Sequence, residues 1–595
     1  MKRCPECRRD YTDDTLLYCL EDGTPLVQGT VPIGQISADE PATAILSVPP
    51  AVADGDFSDE GQTRPQILTT DQTAIFPRGA EAEPQKKLGE RTERQSLSVN
   101  RAAKPVVIAG IAAVLLVAGF FGYRYLRPSF AENASITSIA VLPFENKSSD
   151  ADTDYLSDGL TDSLIFRLTQ LPGLKVSPTS SVVRYKGKEM DVAKIASELG
   201  VDAVMSGRMV KRGDSLNITV ELVDTRSNKT LWGEKYERKM SELLATQREI
   251  AAEITNNLKL KLSGESEQKL AKKYTDNNDA YQLYLKGRFY FAKRGKDHIL
   301  KGIENFKQAI NLDPTYALAY AAIAESYNAL GKNADLPPRE IFPQAKATAM
   351  RALEIDPTLA EAHGALADSL ALYDWNWTES EREFGKALQL DPNVSYIHLT
   401  HGASYFVPLG KRDEAVAELK RAVELEPLSL INNAIFGLSY LYAGQNDKAL
   451  DQGKKTYDLD PNFRFGRQYL GYTYIVLGRY TDAIALAEDG LKAFPLAQEY
   501  LVIAGVAHAK AGHRREAEQY LGQFRELAKT EYVRTVYTAS IYAALGDKDK
   551  AFAELEKSFA DKDYFLPRIK LDPFMDPIRD DPRFKDLLKR MGLPE

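Results

Sequence analysis

A chain of 595 residues is too long for one hydrophobic core, so two to four domains are expected. Its hydrophobic share of 44% and charged share of 27% exclude a collagen-like or wholly disordered chain, and a net charge of -8 argues against nucleic acid as the main partner. Cysteine occurs only at Cys4, Cys7 and Cys19, so no disulfide can brace the remainder and these three thiols act together and locally.

The chain opens with MKRCPECRRDYTDDTLLYCLEDGTPL. Cys4 and Cys7 stand at the C-x2-C spacing at which two thiolates grip one tetrahedral zinc, and Cys19 supplies a third across a short loop. Residues 1–28 resemble a degenerate zinc-ribbon knuckle with Asp22 where a fourth cysteine would stand. That resemblance implies a structural zinc on Cys4, Cys7, Cys19 and Asp22; an empty vestigial knuckle and a redox pair are the alternatives.

Residues 29–104 are rich in Ala, Pro, Thr, Gln and Glu without apolar period, the composition of a disordered linker. Within it PATAIL and DQTAIF are similar short elements, and Thr43 and Thr73 are read as ordinary linker threonines rather than phosphorylation sites. Residues 105–123, PVVIAGIAAVLLVAGFFGY, carry no charge over a length that spans a hydrocarbon core as a transmembrane helix. Lys86, Lys87, Arg91, Arg94, Arg101 and Lys104 precede it, against Arg124 and Arg127 after it. This bias predicts a single-pass inner-membrane protein with a cytoplasmic N-terminus and an extracytoplasmic bulk.

Residues 136–262 alternate strands and helices. A strand is predicted at Ser138–Phe144, then a helix at Tyr155–Leu171 with Leu160, Leu164, Ile165 and Leu168 on one face. A strand follows at Leu174–Pro178, then a helix at Val192–Gly200, a meander over Val201–Trp232 and a helix from about Ser241 to Leu262. SIAVLPFENKSSD, YLSDGLTDSLIFRL, LPGLKV, IASELGVDAVMSG and LWGEKYER resemble the N-terminal domain of TolB, and more closely the TolB-like segment between a membrane helix and repeats in bacterial envelope signalling proteins. Relatives of that kind carry a cyclase, kinase or winged-helix output domain where this chain has the knuckle, so the resemblance does not imply catalytic output. The acidic group Asp150, Asp152, Asp154, Asp158 and Asp162 is read as helix capping and a solvated turn.

The strongest signal is a 34-residue period. Gly410, Gly444, Gly478, Gly512 and Gly546 follow it, as do Ala415, Ala449, Ala483, Ala517 and Ala551. Pro314, Pro357, Pro392, Pro427, Pro461 and Pro495 open the inter-repeat turns. This pattern resembles the tetratricopeptide repeat (TPR), in about eight units from Ala280 to Ala560 within a solenoid over 276–595, closed by a capping helix at Leu571–Leu593. The resemblance implies a groove, lined by first helices, that takes a protein partner, and Asn433, Arg467 and Tyr472 are the candidate groove residues.

The six histidines are scattered, and His398 and His401 are read as helix surface. No nucleophile elbow, H-E-x-x-H, phosphate loop or kinase pair is present, so no catalytic or cofactor-binding residue is assigned and the chain is expected not to be an enzyme. The expectation is a membrane-anchored adaptor or signalling scaffold. The alternative is a transmembrane regulator whose knuckle contacts transcription machinery or nucleic acid. Basic Lys2, Arg3, Arg8 and Arg9 allow that alternative and Asp10, Asp13, Asp14, Glu21 and Asp22 oppose it.

Overall fold

The computed structural model describes residues 136–148, 153–171, 173–188, 191–260, 263–333 and 336–594, with three two-residue strands near the N-terminus. The chain divides into two units, Met1–Lys104 and Pro105–Glu595. In the first unit β1 (Lys2–Arg3) pairs antiparallel with both β2 (Asp10–Tyr11) and β3 (Val27–Gln28), in the order β2-β1-β3. The thiols of Cys4, Cys7 and Cys19, Asp22, the linker and the apolar run 105–123 lie outside the described residues. Among the described residues no helix is long and apolar enough to cross a membrane.

The second unit begins with an α/β layer. Its sheet runs β6-β4-β7-β8-β9, with β4 (Ser138–Val141) parallel to β6 (Lys175–Val176) and β7 (Ala203–Arg212), and β5 (Glu145–Asn146) beside β7. The expected meander is β7, β8 (Ser215–Asp224) and β9 (Lys229–Lys239), antiparallel throughout; β9 continues past Trp232. The helix Asp154–Thr169 buries Leu160, Leu164, Ile165 and Leu168 against this sheet, and Gly200, at φ 62°, ends the helix Val192–Leu199. The last predicted helix stops at Asn257 instead of Leu262, and a separate helix, Gly264–Ala271, leads to the repeats.

The phenyl ring of Phe144 lies across Gly207, where an added Cβ would stand 2.4 Å from it. Gly207→Ala is therefore expected to cost about 1–3 kcal/mol by overpacking, seen as a lowered denaturant midpoint with an unchanged slope.

Eight helix pairs follow, as the period predicts. They begin with Asn278–Ala292 and Lys296–Leu312 and end with Thr535–Ala544 and Lys548–Asp561. Gly410, Gly444, Gly478, Gly512 and Gly546 adopt φ between 72° and 84°, the left-handed geometry that lets the second helix double back. The periodic alanines are all buried where the second helix crosses the first. First helices of successive repeats pack on one another, as Leu430–Tyr442 does on Arg464–Val476, so they form one continuous face. Repeat 3 departs from the period: its turn has no glycine, its first helix widens through Leu370–Asp374, and Trp375 takes the left-handed position at φ 57°.

The first repeat also completes the α/β layer. Tyr281 and Leu285 of its first helix belong to that layer's core, and Leu285 lies so close to Gly159 that a Cβ there would stand 2.7 Å from it. Arg167 fastens the junction, donating to Gln247 Oε1 at 3.0 Å and to the carbonyls of Leu270 and Lys272 at 2.9 and 3.1 Å.

Candidate functional site

Four inter-repeat loops open on a proline whose carbonyl has no helical donor. The side chain six residues later supplies one. His363 Nε2 meets the Pro357 carbonyl at 3.0 Å and His398 Nε2 that of Pro392 at 2.9 Å. Asn433 Nδ2 donates to Pro427 at 2.8 Å and Arg467 Nη2 to Pro461 at 2.8 Å. The same four side chains reach the second helix of their own repeat, at Glu383, Glu418, Gln452 and Asp489 respectively. The four positions are one structural clamp repeated.

Two expectations change as a result. Asn433, fully buried, and Arg467, 5% exposed, tie helices together and offer nothing to a partner. His398 and His401 are buried, not surface, because they meet carboxylates: His398 pairs with Glu418, and His401 lies 3.0 Å from Glu381. The spacing of six from each proline was visible in the sequence and would have flagged all four clamp residues.

Glu418 is pushed up by burial, but the hydrogen bond from His398 and the neighbouring His401 ring, 3.7 Å away, outweigh this and hold its carboxyl at about 2. A depressed acid stabilises the fold above its unfolded pKa, here 4.5, and that contribution is lost as pH falls toward 2. With the side chain 22% exposed, acidification from pH 5 to pH 2.5 is expected to remove about 2 kcal/mol through this group. Glu418→Gln should flatten that part of the acid limb in chemical denaturation at the two pH values.

The first-helix face itself is already occupied. Beyond Asp561 the chain turns back as two 3-10 turns, Leu566–Lys570 and Pro573–Ile578, and a helix, Pro582–Arg590, and lies on the first helices of the later repeats. Tyr472, the third candidate, does belong to this face, but the Phe574 ring covers it at 4.5 Å. Gln468 beneath donates to the hydroxyls of Tyr472 and Tyr537 at 3.2 and 3.1 Å. The segment also reaches early repeats: Tyr564 donates to the Lys332 carbonyl at 2.7 Å, and Trp377 Nε1 to that of Met591 at 2.8 Å. Leu566, Ile569, Phe574, Met575, Ile578, Phe584 and Leu587 are each no more than 1% exposed. Burial on that scale is worth on the order of 10 kcal/mol gross. The predicted capping helix is thus a wedge whose prolines Pro573, Pro577 and Pro582 confine regular α-helix to the nine residues Pro582–Arg590.

The early repeats carry charge on the same helices. Arg288 stands between Asp162 of the α/β layer and Glu325 of repeat 2, 3.2 Å from each. Asp368, fully buried, accepts from Tyr396 Oη at 2.8 Å and pairs with Lys332 at 2.6 Å. Burial pushes Glu361 up to about 7. The acidic group at the helix Asp154–Thr169 is therefore engaged in specific pairs, with Asp158 2.7 Å from Lys186 and Asp162 both on Arg288 and accepting from Thr179 at 2.8 Å. Asp150 and Asp152 lie outside the described residues. Among the described residues no three His, Cys, Asp or Glu side chains converge as a metal site would require.

Helix pairs at this period, stacked on a continuous first-helix face, define a TPR-like solenoid preceded by a small sheet-containing layer. Comparison with known proteins adds two partial relatives. Residues 135–253 match the family described as HilA/YgeH-like transcriptional regulator, second domain. The putative adenylate cyclase 3 of Rhizobium meliloti (strain 1021) is 30% identical over 187 residues, which are 31% of this chain and 32% of that protein. The present chain thus spans about a third of that relative's length. Among solved structures, pilF of Pseudomonas aeruginosa is 22% identical, covering 35% of this chain and 92% of its own, with a TM-score of 0.28. Yeast Tom70 is 14% identical, covering 59% and 82%, with a TM-score of 0.35. The human IFIT1 dimer with m7Gppp-AAAA is 14% identical, covering 59% and 77%, at 0.38. Superpositions this partial carry no argument, and the repeat class rests on the helix pairs and their period.

Proposed function

We propose that this chain is a membrane-anchored, non-catalytic scaffold that binds protein partners through its TPR superhelix. The observation that carries the reading is the run of stacked helix pairs, since a solenoid of this length presents extended surface beyond the part of the first-helix face that the C-terminal segment covers. The anchor is supported by the uncharged run 105–123, and an orientation with the N-terminus in the cytoplasm and the α/β layer and repeats outside it by the excess of Lys and Arg before that run. The TolB-like assignment of the α/β layer is supported by the motifs from Ser138 to Arg238. A structural zinc on Cys4, Cys7, Cys19 and Asp22 is supported by the C-x2-C spacing.

Affinity purification from solubilised membranes tests this reading, comparing the full chain with one ending after Leu312. The cut falls there because one at Lys272 would remove Tyr281 and Leu285 from the α/β core. Specific partners should vanish with the repeats; partners retained by the shortened chain would move the function to the α/β layer or the knuckle.

A second reading is favoured by one observation, the match of 135–253 to a domain of a transcriptional-regulator family. In it the N-terminal knuckle contacts transcription machinery or nucleic acid. Retention of the 1–104 fragment on DNA, weakening steeply with salt, supports it; no retention at low salt excludes the nucleic-acid form.

A further inference from the structure

The sheet of the α/β layer ends on a long strand with one side open. β9, eleven residues long, pairs with β8, and among the described residues no strand lies on its other side. The opposite edge, β6, has only two residues. The N–H of Met240, just past β9, turns inward to the Asp214 carbonyl at 2.9 Å. The Lys239 N–H goes instead to Glu242 Oε2 at 2.8 Å, and the Glu237 carbonyl accepts from Arg238 Nη1 at 3.2 Å, so both face away from β8. Backbone groups alternate along an antiparallel strand, so Gly233 and Lys235 also turn their N–H and C=O to the open edge. Leu231 is bulged out of the pairing, which leaves Trp232–Lys239 as the regular stretch.

The charges along this edge decide what fits it. About a two-fold axis perpendicular to the sheet, a residue can oppose only one an even number of positions away, because directly opposed side chains share a face. The axis therefore passes through a residue. Centred on Glu234, Lys235, Glu237 or Arg238 it sets that charge against its own copy. Centred on Gly233 it runs into the bulge after one residue. Centred on Tyr236 it sets Lys235 against Glu237 of the second copy and Glu234 against Arg238 of the second copy, each twice, with no like charges opposed. Lys235 and Glu237 are also residues whose backbone faces outward, so they can exchange N–H···O bonds directly once Arg238 releases the Glu237 carbonyl. We propose that β9 pairs antiparallel with β9 of a second copy of this chain about an axis at Tyr236, joining two sheets into one. Charge on an edge strand ordinarily blunts such pairing, but alternation of sign makes this one register attractive.

The test co-expresses full-length chains bearing two different tags and measures how much of one tag is recovered through the other. Lys235 and Glu237 are 61% and 66% exposed, so reversing their charges leaves each chain's own core untouched. Lys235→Glu in both chains opposes carboxylate to carboxylate twice, and Glu237→Lys in both opposes ammonium to ammonium. Each should cut mixed-tag recovery about tenfold. Lys235→Glu in one chain with Glu237→Lys in the other restores both pairs, as does carrying the two substitutions together on every chain, and recovery should return to the wild-type level. Wild-type chains that do not co-purify, single variants that co-purify as wild type does, or losses that neither combination restores would each overturn the proposal. None of these substitutions lies in the repeats, so failure here is distinguishable from failure of the scaffold reading.

Discussion

Phe574→Ala is expected to destabilise the repeats by about 3–5 kcal/mol, the largest effect of any single truncation in the wedge. The ring is 1% exposed and lies on Tyr472, with the fully buried Met575 and Ile578 following it. Its deletion leaves a void bounded by helices that the neighbouring repeats hold in place, so the site has little room to collapse. The effect should appear as a lowered urea midpoint. It should also remove cooperativity between early and late repeats, because the same segment touches Lys332, Leu409 and Tyr472. A loss below about 1 kcal/mol would mean that the wedge is only loosely seated.

Arg534→Leu should be of similar size, about 3–5 kcal/mol. Arg534 is among the largest fully buried side chains; it donates to the Lys332 carbonyl at 3.2 Å and lies 5.2 Å from the centroid of the Tyr564 ring. Burial pushes Asp563 up, and the Arg534 charge opposes this. Removing that charge leaves a buried carboxyl without its counterweight. The variant's deficit should therefore shrink as the pH is lowered and the carboxyl takes a proton. Double substitution with Asp563→Asn should recover part of the loss, and an additive result would show that the two groups do not interact.

The repeats were legible because their constraints are local. A left-handed turn every 34 residues needs glycine, a helix crossing needs alanine, and an inter-repeat turn tolerates proline, so the spacing of Gly444, Ala449 and Pro461 shows in the sequence itself. The α/β layer was legible for the same reason, through the apolar face of Leu160, Leu164 and Leu168. The wedge was not. DPFMDPIRDDPRF has no helical or strand period, and its partners are distant in sequence, Tyr564 meeting Lys332 across 232 residues. Nothing local marks such a pairing. Asn433 and Arg467 misled because a polar residue on a first helix resembles a groove residue unless the proline six positions earlier is counted with it. Tyr472 lay on the expected face, but its cover comes from the far end of the chain.

Amide hydrogen exchange on the full-length chain tests directly whether the C-terminal segment is an integral part of the first-helix face. Amides of Leu566–Lys570 and Pro582–Arg590 should exchange as slowly as those of Leu430–Tyr442, and Phe574→Ala should accelerate both sets together. Rapid exchange of the C-terminal segment beside a protected Leu430–Tyr442 helix would contradict it, and would leave the face open for a partner along its whole length.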